Sequence, residues 1–130
     1  MRDLRLTNRC WPRRVNLPLL RRLARALLED ELGVLDYVLH VHLVTAAEIT
    51  MLNETYLRHV GPTDVITFDY AGDSRLAALH SDLFICLDEA KRQGSRFRSS
   101  WPVEVTRYLI HGVLHLRGYS DSRSGWCKVM

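Results

Sequence analysis

The sequence predicts a small single domain of the α+β class, with helices packed on one sheet. Three observations lead there. Strand-like stretches of alternating apolar residues are interleaved with stretches of helical periodicity. The strand-like stretches 65–70 and 80–87 are too close for a crossover helix, so they are expected to pair antiparallel. A helix beginning at Pro102 is apolar almost all round, as in a buried core helix. At 130 residues the chain is one domain long enough for a real core, and its hydrophobic fraction of 47% is ordinary.

In order, Leu4 and Leu6 alternate with Arg5 and Thr7 as in a short strand. Asn8 to Pro12 is a turn, with Trp11 as a packing anchor or an exposed contact. Asn16 can cap a helix to about Leu32, with Pro18 tolerated in its first turn and Gly33 ending it. Leu19, Leu20, Leu23, Leu27 and Leu28 form its expected buried face. Leu35 to Val44 is a strand, with Tyr37, Leu39, Val41 and Leu43 on one face. Asp36, Val38, His40 and His42 are on the other. His40 and His42 could bind metal, but no third ligand is close in sequence, and they are read as the wetter face of a sheet.

Thr45-Ala-Ala-Glu48 is a capping-box pattern opening a helix with Ile49, Leu52 and Tyr56 on its inner face. That helix carries Asn53 and ends before Gly61-Pro62. Val65 to Tyr70 is rich in strand formers. Ala71 to Arg75 is a loop, and His80 to Leu87 is another strand. Asp88 is expected to cap a short helix to about Gly94, followed by a basic loop from Ser95 to Ser100.

The chemistry concentrates in His111-Gly-Val-Leu-His115-Leu-Arg-Gly118-Tyr-Ser-Asp121. Residues four apart share a helix face, one turn from each other. Gly118 can end the helix and let the chain turn, bringing Asp121 within reach of the same point. Two imidazoles and a carboxylate make a three-ligand set with one position open, as in catalytic zinc sites. Two core histidines bonded to backbone are the structural alternative. Glu104, Tyr108, His111 and His115 form one polar stripe, expected to line a cleft. In zinc proteases of the His-Glu-x-x-His type the residue after the first His is the general base. Here it is Gly112, which argues against a protease and suggests close approach by a neighbouring element.

The net charge is only +3, but Arg2, Arg5, Arg9, Arg13, Arg14, Arg21, Arg22 and Arg25 crowd the N-terminal segment. Lys91, Arg92, Arg96 and Arg98 form a second cluster. Arginine suits bidentate phosphate contacts, so an RNA or ribosome surface is one reading and a solvated face the other. Cys10, Cys86 and Cys127 are widely spaced and odd in number, which fits free thiols in a reducing cytosol. There is no apolar run of about 18 residues for a membrane span, and no apolar signal-peptide core.

Several stretches together resemble one family: Leu52-Asn53-x-x-Tyr56, Pro62-Thr63-Asp64-Val65-Ile-Thr-Phe68, Asp82-Leu-Phe-Ile85, and His111-Gly-x-Leu-His115-Leu-x-Gly118-Tyr119. They look like the YbeY family of bacterial metal-dependent endoribonucleases. The resemblance runs from the first strand to Asp121. It implies a small mixed, mainly four-stranded sheet, with the metal site on the C-terminal helix and the turn after it. It implies one zinc per chain, held by His111, His115 and the residue at position 121. It implies a cytoplasmic enzyme that cleaves single-stranded RNA in ribosomal RNA maturation, at the 3′ end of 16S rRNA, and in ribosome quality control. The implied partners are rRNA and the ribosome, with ribosomal proteins or assembly GTPases as further candidates, and no membrane.

The sequence departs from the family pattern in three places. The third ligand is usually histidine and here is Asp121. Aspartate is a competent zinc ligand, and its charge makes the site more hospitable to harder metals such as manganese. The arginine that often follows the Tyr56 position is replaced by Leu57, with Arg58 next. Members usually continue further past the metal site than Met130, so a closing C-terminal helix is expected to be absent or shortened.

On this reading Arg58 is the catalytic candidate, stabilising charge on the phosphorane. Arg92, Arg96 and Arg98 are the RNA-binding candidates through phosphate contacts. Asp64 and Asp82 are possible bases, but a turn-capping or orienting role fits each better. Two rivals stand beside the nuclease: a non-catalytic ribosome-assembly factor with a structural metal, and a metallohydrolase of a small molecule or peptide.

Overall fold

The structure, a computed structural model, describes residues 2–10, 12–70, 79–117 and 128–129. Trp11, residues 71–78, Gly118, Tyr119, Asp121 and Cys127, and the expectations attached to them, lie outside the described residues.

Strand β1 (Arg2–Asn8) leads to α1 (Leu17–Arg25), which widens into a π-helical turn over Ala26–Glu31. Then follow β2 (Tyr37–Val44), α2 (Ala46–Tyr56), β3 (Val65–Asp69), β4 (Leu79–Cys86), α3 (Leu87–Arg96), α4 (Trp101–Leu116) and a two-residue β5 (Lys128–Val129). The sheet order is β1-β2-β4-β3-β5. β1, β2 and β4 run parallel, β3 is antiparallel to β4, and β5 lies parallel to β3. The mixed, mainly four-stranded sheet and the antiparallel pairing of β3 with β4 are as expected. No described helix is long and apolar enough to cross a membrane.

Each face of the sheet has its own apolar cluster. Leu39, Val41, Leu83 and Ile85 pack with Leu20, Ala24 and Leu28 of the α1 segment, Leu87 and Ala90 of α3, and Val105, Leu109 and Val113 of α4. Ile66, Phe68 and Phe84 point the other way and pack with Ile49 and Leu52 of α2. Period-2 alternation along the strands produces this division. So α4 lies on one face, and β2's second face, with His40 and His42, belongs to the other.

The ends of the helices explain several departures. Asn16 caps α1 as expected, accepting from the Leu19 N–H at 3.1 Å. The buried stripe of this helix runs through Leu20, Ala24 and Leu28, and Leu19 is left 40% exposed. Spacings of four lead from one to the next, so Ala24 takes the place that a leucine-only count overlooks. Thr45 caps α2 at the Glu48 N–H, 3.3 Å. The carboxylate of Glu48 pairs with Arg9 at 2.9 Å. Tyr56, expected inside, is exposed and meets Phe68 edge-on at 5.7 Å between centroids.

Helix α3 begins two residues early. Cys86 is its cap, its Sγ accepting from the Glu89 N–H at 3.4 Å. Asp88 instead reaches across to α2, where it accepts from the Ala46 N–H at 2.6 Å and pairs with Arg13. The helix also runs on through Ser95 and Arg96, into the segment read as a loop.

Candidate functional site

Helix α4 starts with Pro102 in its first turn and presses its middle against the sheet. Gly112 makes that approach possible. A Cβ there would lie 2.5 Å from Cδ1 of the fully buried Leu83. The close approach expected of Gly112 is therefore real, and β4 is the neighbour.

Beside this contact the sheet face under α4 turns polar. Thr67 and Asp69 of β3 and Ser81 of β4 are all buried. Thr67 pairs with Leu83 in the ladder, and Asp69 with Ser81. Alternation along Val65-Thr67-Asp69 puts these side chains on the same face as Leu83. Sequence reading did not single them out, although that alternation is visible once β3 is known to be covered on both faces.

His111 and His115 flank Gly112 on the last two turns of α4, both half-buried. Both ring nitrogens of His115 are shielded from solvent. The N-terminal half of the polar stripe is different. Glu104 and Tyr108 are only 2% and 5% exposed. This half does not line a cleft: both side chains are buried, Tyr108 with Glu89 of α3 nearby. Burial, with Asp64, Glu104 and Glu89 nearby, pushes the Tyr108 hydroxyl above its ordinary range. Asp121, the third expected ligand, lies outside the described residues.

Among the described residues a different His-His-Asp set comes together. His40 and His42 on β2 and Asp82 on β4 bring one donor atom each to within 4.8 Å of the others, so the group could hold a metal ion. Asp82 is opposite His40 in the parallel register. Its Oδ1 lies 3.0 Å from Nε2 of His42, and its Oδ2 accepts from the Tyr70 hydroxyl at 2.9 Å. Burial and this carboxylate push Tyr70 up to about 12. Burial, reinforced by His42, lowers the pKa of His40. The missing third ligand comes from a strand forty residues away in sequence, a pairing that local spacing cannot reveal. Asp82 points away from Leu83, and hence away from α4.

Asp64 holds a turn. Its Oδ1 accepts from the Val65 N–H at 2.9 Å and from the Thr63 hydroxyl at 3.3 Å. Burial raises its pKa.

Arg58 and Arg98 are the non-glycine residues with positive φ among those described, at 56° and 57°. Each sits just past a helix end, where glycine is the usual left-handed closing residue. The Arg58 loop is tied down on both sides. Asn53 O accepts from the N–H groups of Leu57 and His59, both at 3.1 Å, and Asn53 Nδ2 donates to Gly61 O at 2.9 Å. Leu57, in the slot where the family resemblance suggests arginine, packs on the α2-side core. Arg58 is left exposed.

In the second arginine cluster, Ser99 N–H donates to Gly94 O at 2.9 Å and closes α3 around Arg98. Arg92 is engaged by Glu89 on the same helix, Nε to Oε2 at 3.1 Å. Arg96 lies over the exposed Phe97 ring, 5.4 Å from its centroid.

Comparison with known proteins gives one answer. A family model described as Endoribonuclease YbeY matches residues 5–130. A Bacteroides fragilis protein named Endoribonuclease YbeY is 35% identical over 105 residues, covering 81% of this chain and 70% of that protein. A protein of the same name from Aquifex aeolicus is 34% identical over 94 residues, covering 72% and 63%. The solution structure of a Thermotoga maritima protein matches with a TM-score of 0.64 at 24% identity, over 95% of this chain and 79% of that one, and supports the fold.

Proposed function

The chain belongs to the endoribonuclease YbeY family, and from that premise we propose that it is a metal-dependent endoribonuclease acting on single-stranded RNA. The reading extends to ribosomal RNA maturation at the 3′ end of 16S rRNA and to ribosome quality control. rRNA and the ribosome are then the binding partners, with ribosomal proteins or assembly GTPases as further candidates.

The observation that carries the reading is the placement of His111 and His115. They stand one turn apart on α4, on either side of the glycine that seats the helix on Leu83. With Asp121 of the sequence that follows, they would make a donor set of two imidazoles and one carboxylate, which suits zinc and leaves one position open. The solvent-shielded nitrogens of His115 fit such a role. When bound, the metal would supply Lewis acidity toward a phosphoryl oxygen or a bound water.

The chain's own residues do the rest. Arg58, exposed on a loop fixed by Asn53, donates hydrogen bonds to the non-bridging oxygens as charge develops on the phosphorane. Its fixed backbone limits what must be reorganised on binding. Arg96 and Arg98 hold phosphates on the flanking RNA. Arg92 joins them only by sharing its guanidinium with Glu89. Asp64 serves as a turn cap, and neither it nor Asp82, whose oxygens are engaged by His42 and Tyr70, acts as a base.

A second reading, a non-catalytic assembly factor with a structural metal, draws on Leu57. The family's arginine slot is filled by an apolar, packed side chain. Incubating end-labelled single-stranded and duplex RNA with wild-type protein and with Arg58→Ala separates the two. The nuclease reading requires cleavage of the single strand by the wild type and a loss of about 100-fold in the variant. RNA binding without cleavage by either protein would support the assembly factor instead.

A further inference from the structure

We propose that His40, His42 and Asp82 form a second divalent-metal site, of the zinc class, on the face of the sheet opposite α4. The sheet itself builds it. His40 and His42 are alternate residues of β2 and so point the same way. The parallel register then places Asp82 of β4 opposite His40. Zinc–nitrogen and zinc–oxygen bonds of about 2.0–2.2 Å at tetrahedral angles put ligand atoms roughly 3.3 Å apart. His42 Nε2 and Asp82 Oδ1 are already at 3.0 Å, and all three donors lie within 4.8 Å. Small side-chain rotations close the set.

The surroundings hold these side chains in place. Phe84 stacks on His42 with 4.4 Å between ring centroids and 9° between planes. His40 also stacks on His42, with 3.8 Å between ring centroids. Thr7 Oγ1 lies 2.8 Å from Nε2 of His40. The Tyr70 hydroxyl engages the second oxygen of Asp82. Hydrogen bonds of this kind, behind the donors, are what orient metal ligands in known sites. Two imidazoles with one carboxylate favour zinc, cobalt or nickel over magnesium or calcium. A recess of about 290 Å³ adjoins the cluster, bordered by Asp3, Arg5, Tyr70 and His80. It gives an ion an entry path and room for a water in the fourth position. A metal-free His42–Asp82 pair is the competing account of the same contact.

The test uses zinc alone as the probe. The full chain carrying His111→Ala and His115→Ala, labelled with nitrogen-15, is stripped with chelator and titrated with zinc. The imidazole nitrogen resonances of His40 and His42 are expected to move together and saturate. Calorimetry in the same background should give one site, weakened roughly 10–100-fold by His42→Gln or Asp82→Asn. Unmoved His40 and His42 rings, or unchanged affinity in both variants, would overturn the site. If the double variant does not fold, the wild type serves. There the His40 and His42 rings must shift in addition to any shift at His111 and His115, and their failure to do so has the same force.

Discussion

The position a Cβ of Gly112 would occupy is 2.5 Å from Cδ1 of Leu83, so α4 lies on β4 with no room for even a methyl group. Leu83 is fully buried and cannot swing aside freely. Gly112→Ala should therefore destabilise the protein by about 1–3 kcal/mol despite alanine's better helix propensity. Leu83→Ala alone should cost about 2–5 kcal/mol by opening a cavity. In the double variant the two effects should add to less than their sum, because each removes the other's cause. Urea unfolding of the four proteins measures this, and strict additivity would refute the steric account.

Arg58 offers a separation of stability from activity. Its φ of 56° strains any side chain with a Cβ, and its side chain is exposed. Arg58→Gly should raise stability by about 1 kcal/mol while lowering RNA cleavage. Thermal unfolding and a cleavage assay on the same preparation give both signs. A variant that loses stability would show that the arginine side chain holds the loop.

The Asp88 carboxylate joins three segments of chain. It accepts from the first N–H of α2 and pairs with Arg13 just after β1, from its own place in the first turn of α3. The Ala46 hydrogen bond, and then Arg13, hold its pKa below the ordinary carboxylate value. A lowered folded pKa stabilises the fold above the unfolded value, and that contribution is lost as pH falls through the folded one. Asp88→Ala should cost about 1 kcal/mol at neutral pH, and the difference from wild type should shrink in acid. Unfolding midpoints across acidic and neutral pH test it.

Asp64 has the opposite sign. Burial raises its pKa, so its contribution is fully present below the unfolded carboxylate value and is lost as pH rises through the raised one. Asp64→Asn keeps an oxygen to accept from Val65. It should flatten this part of the pH profile and gain on the wild type as pH rises. The same midpoint series distinguishes the two aspartates, because their variants must diverge from wild type in opposite directions.

Alanine at Arg96 and Arg98 together should weaken single-stranded RNA binding and lower the slope of log affinity against log salt by about 1–2. Arg92→Ala should change the slope less, because Glu89 already engages that guanidinium. Binding isotherms at several salt concentrations measure both.

Much of this fold is legible because it is local. Alternation in Tyr37–Val44 marks a strand with one buried face, and Thr45 marks the start of α2. Gly112 between His111 and His115 signals a close approach before its neighbour Leu83 is known. What sequence did not convey is long-range. Asp82 completes a group with His40 and His42 only because β4 lies beside β2. Asp88 caps the helix of another segment, while a cysteine caps its own. Glu104 and Tyr108 are sealed although the periodicity of their stripe is uniform along its length. Helix periodicity says which residues share a face, not which part of that face another element will cover.

On the proposed function, RNA cleavage needs a metal held through His111 and His115. The most direct measurement is the single-turnover cleavage rate of labelled single-stranded RNA by chelator-stripped protein, before and after reloading with zinc, beside the folded His111→Ala/His115→Ala variant under the same treatment. The stripped protein should be inactive and recover on reloading, and the variant should show no recovery. Full activity of the stripped protein, or cleavage by the variant at the wild-type rate, would contradict it.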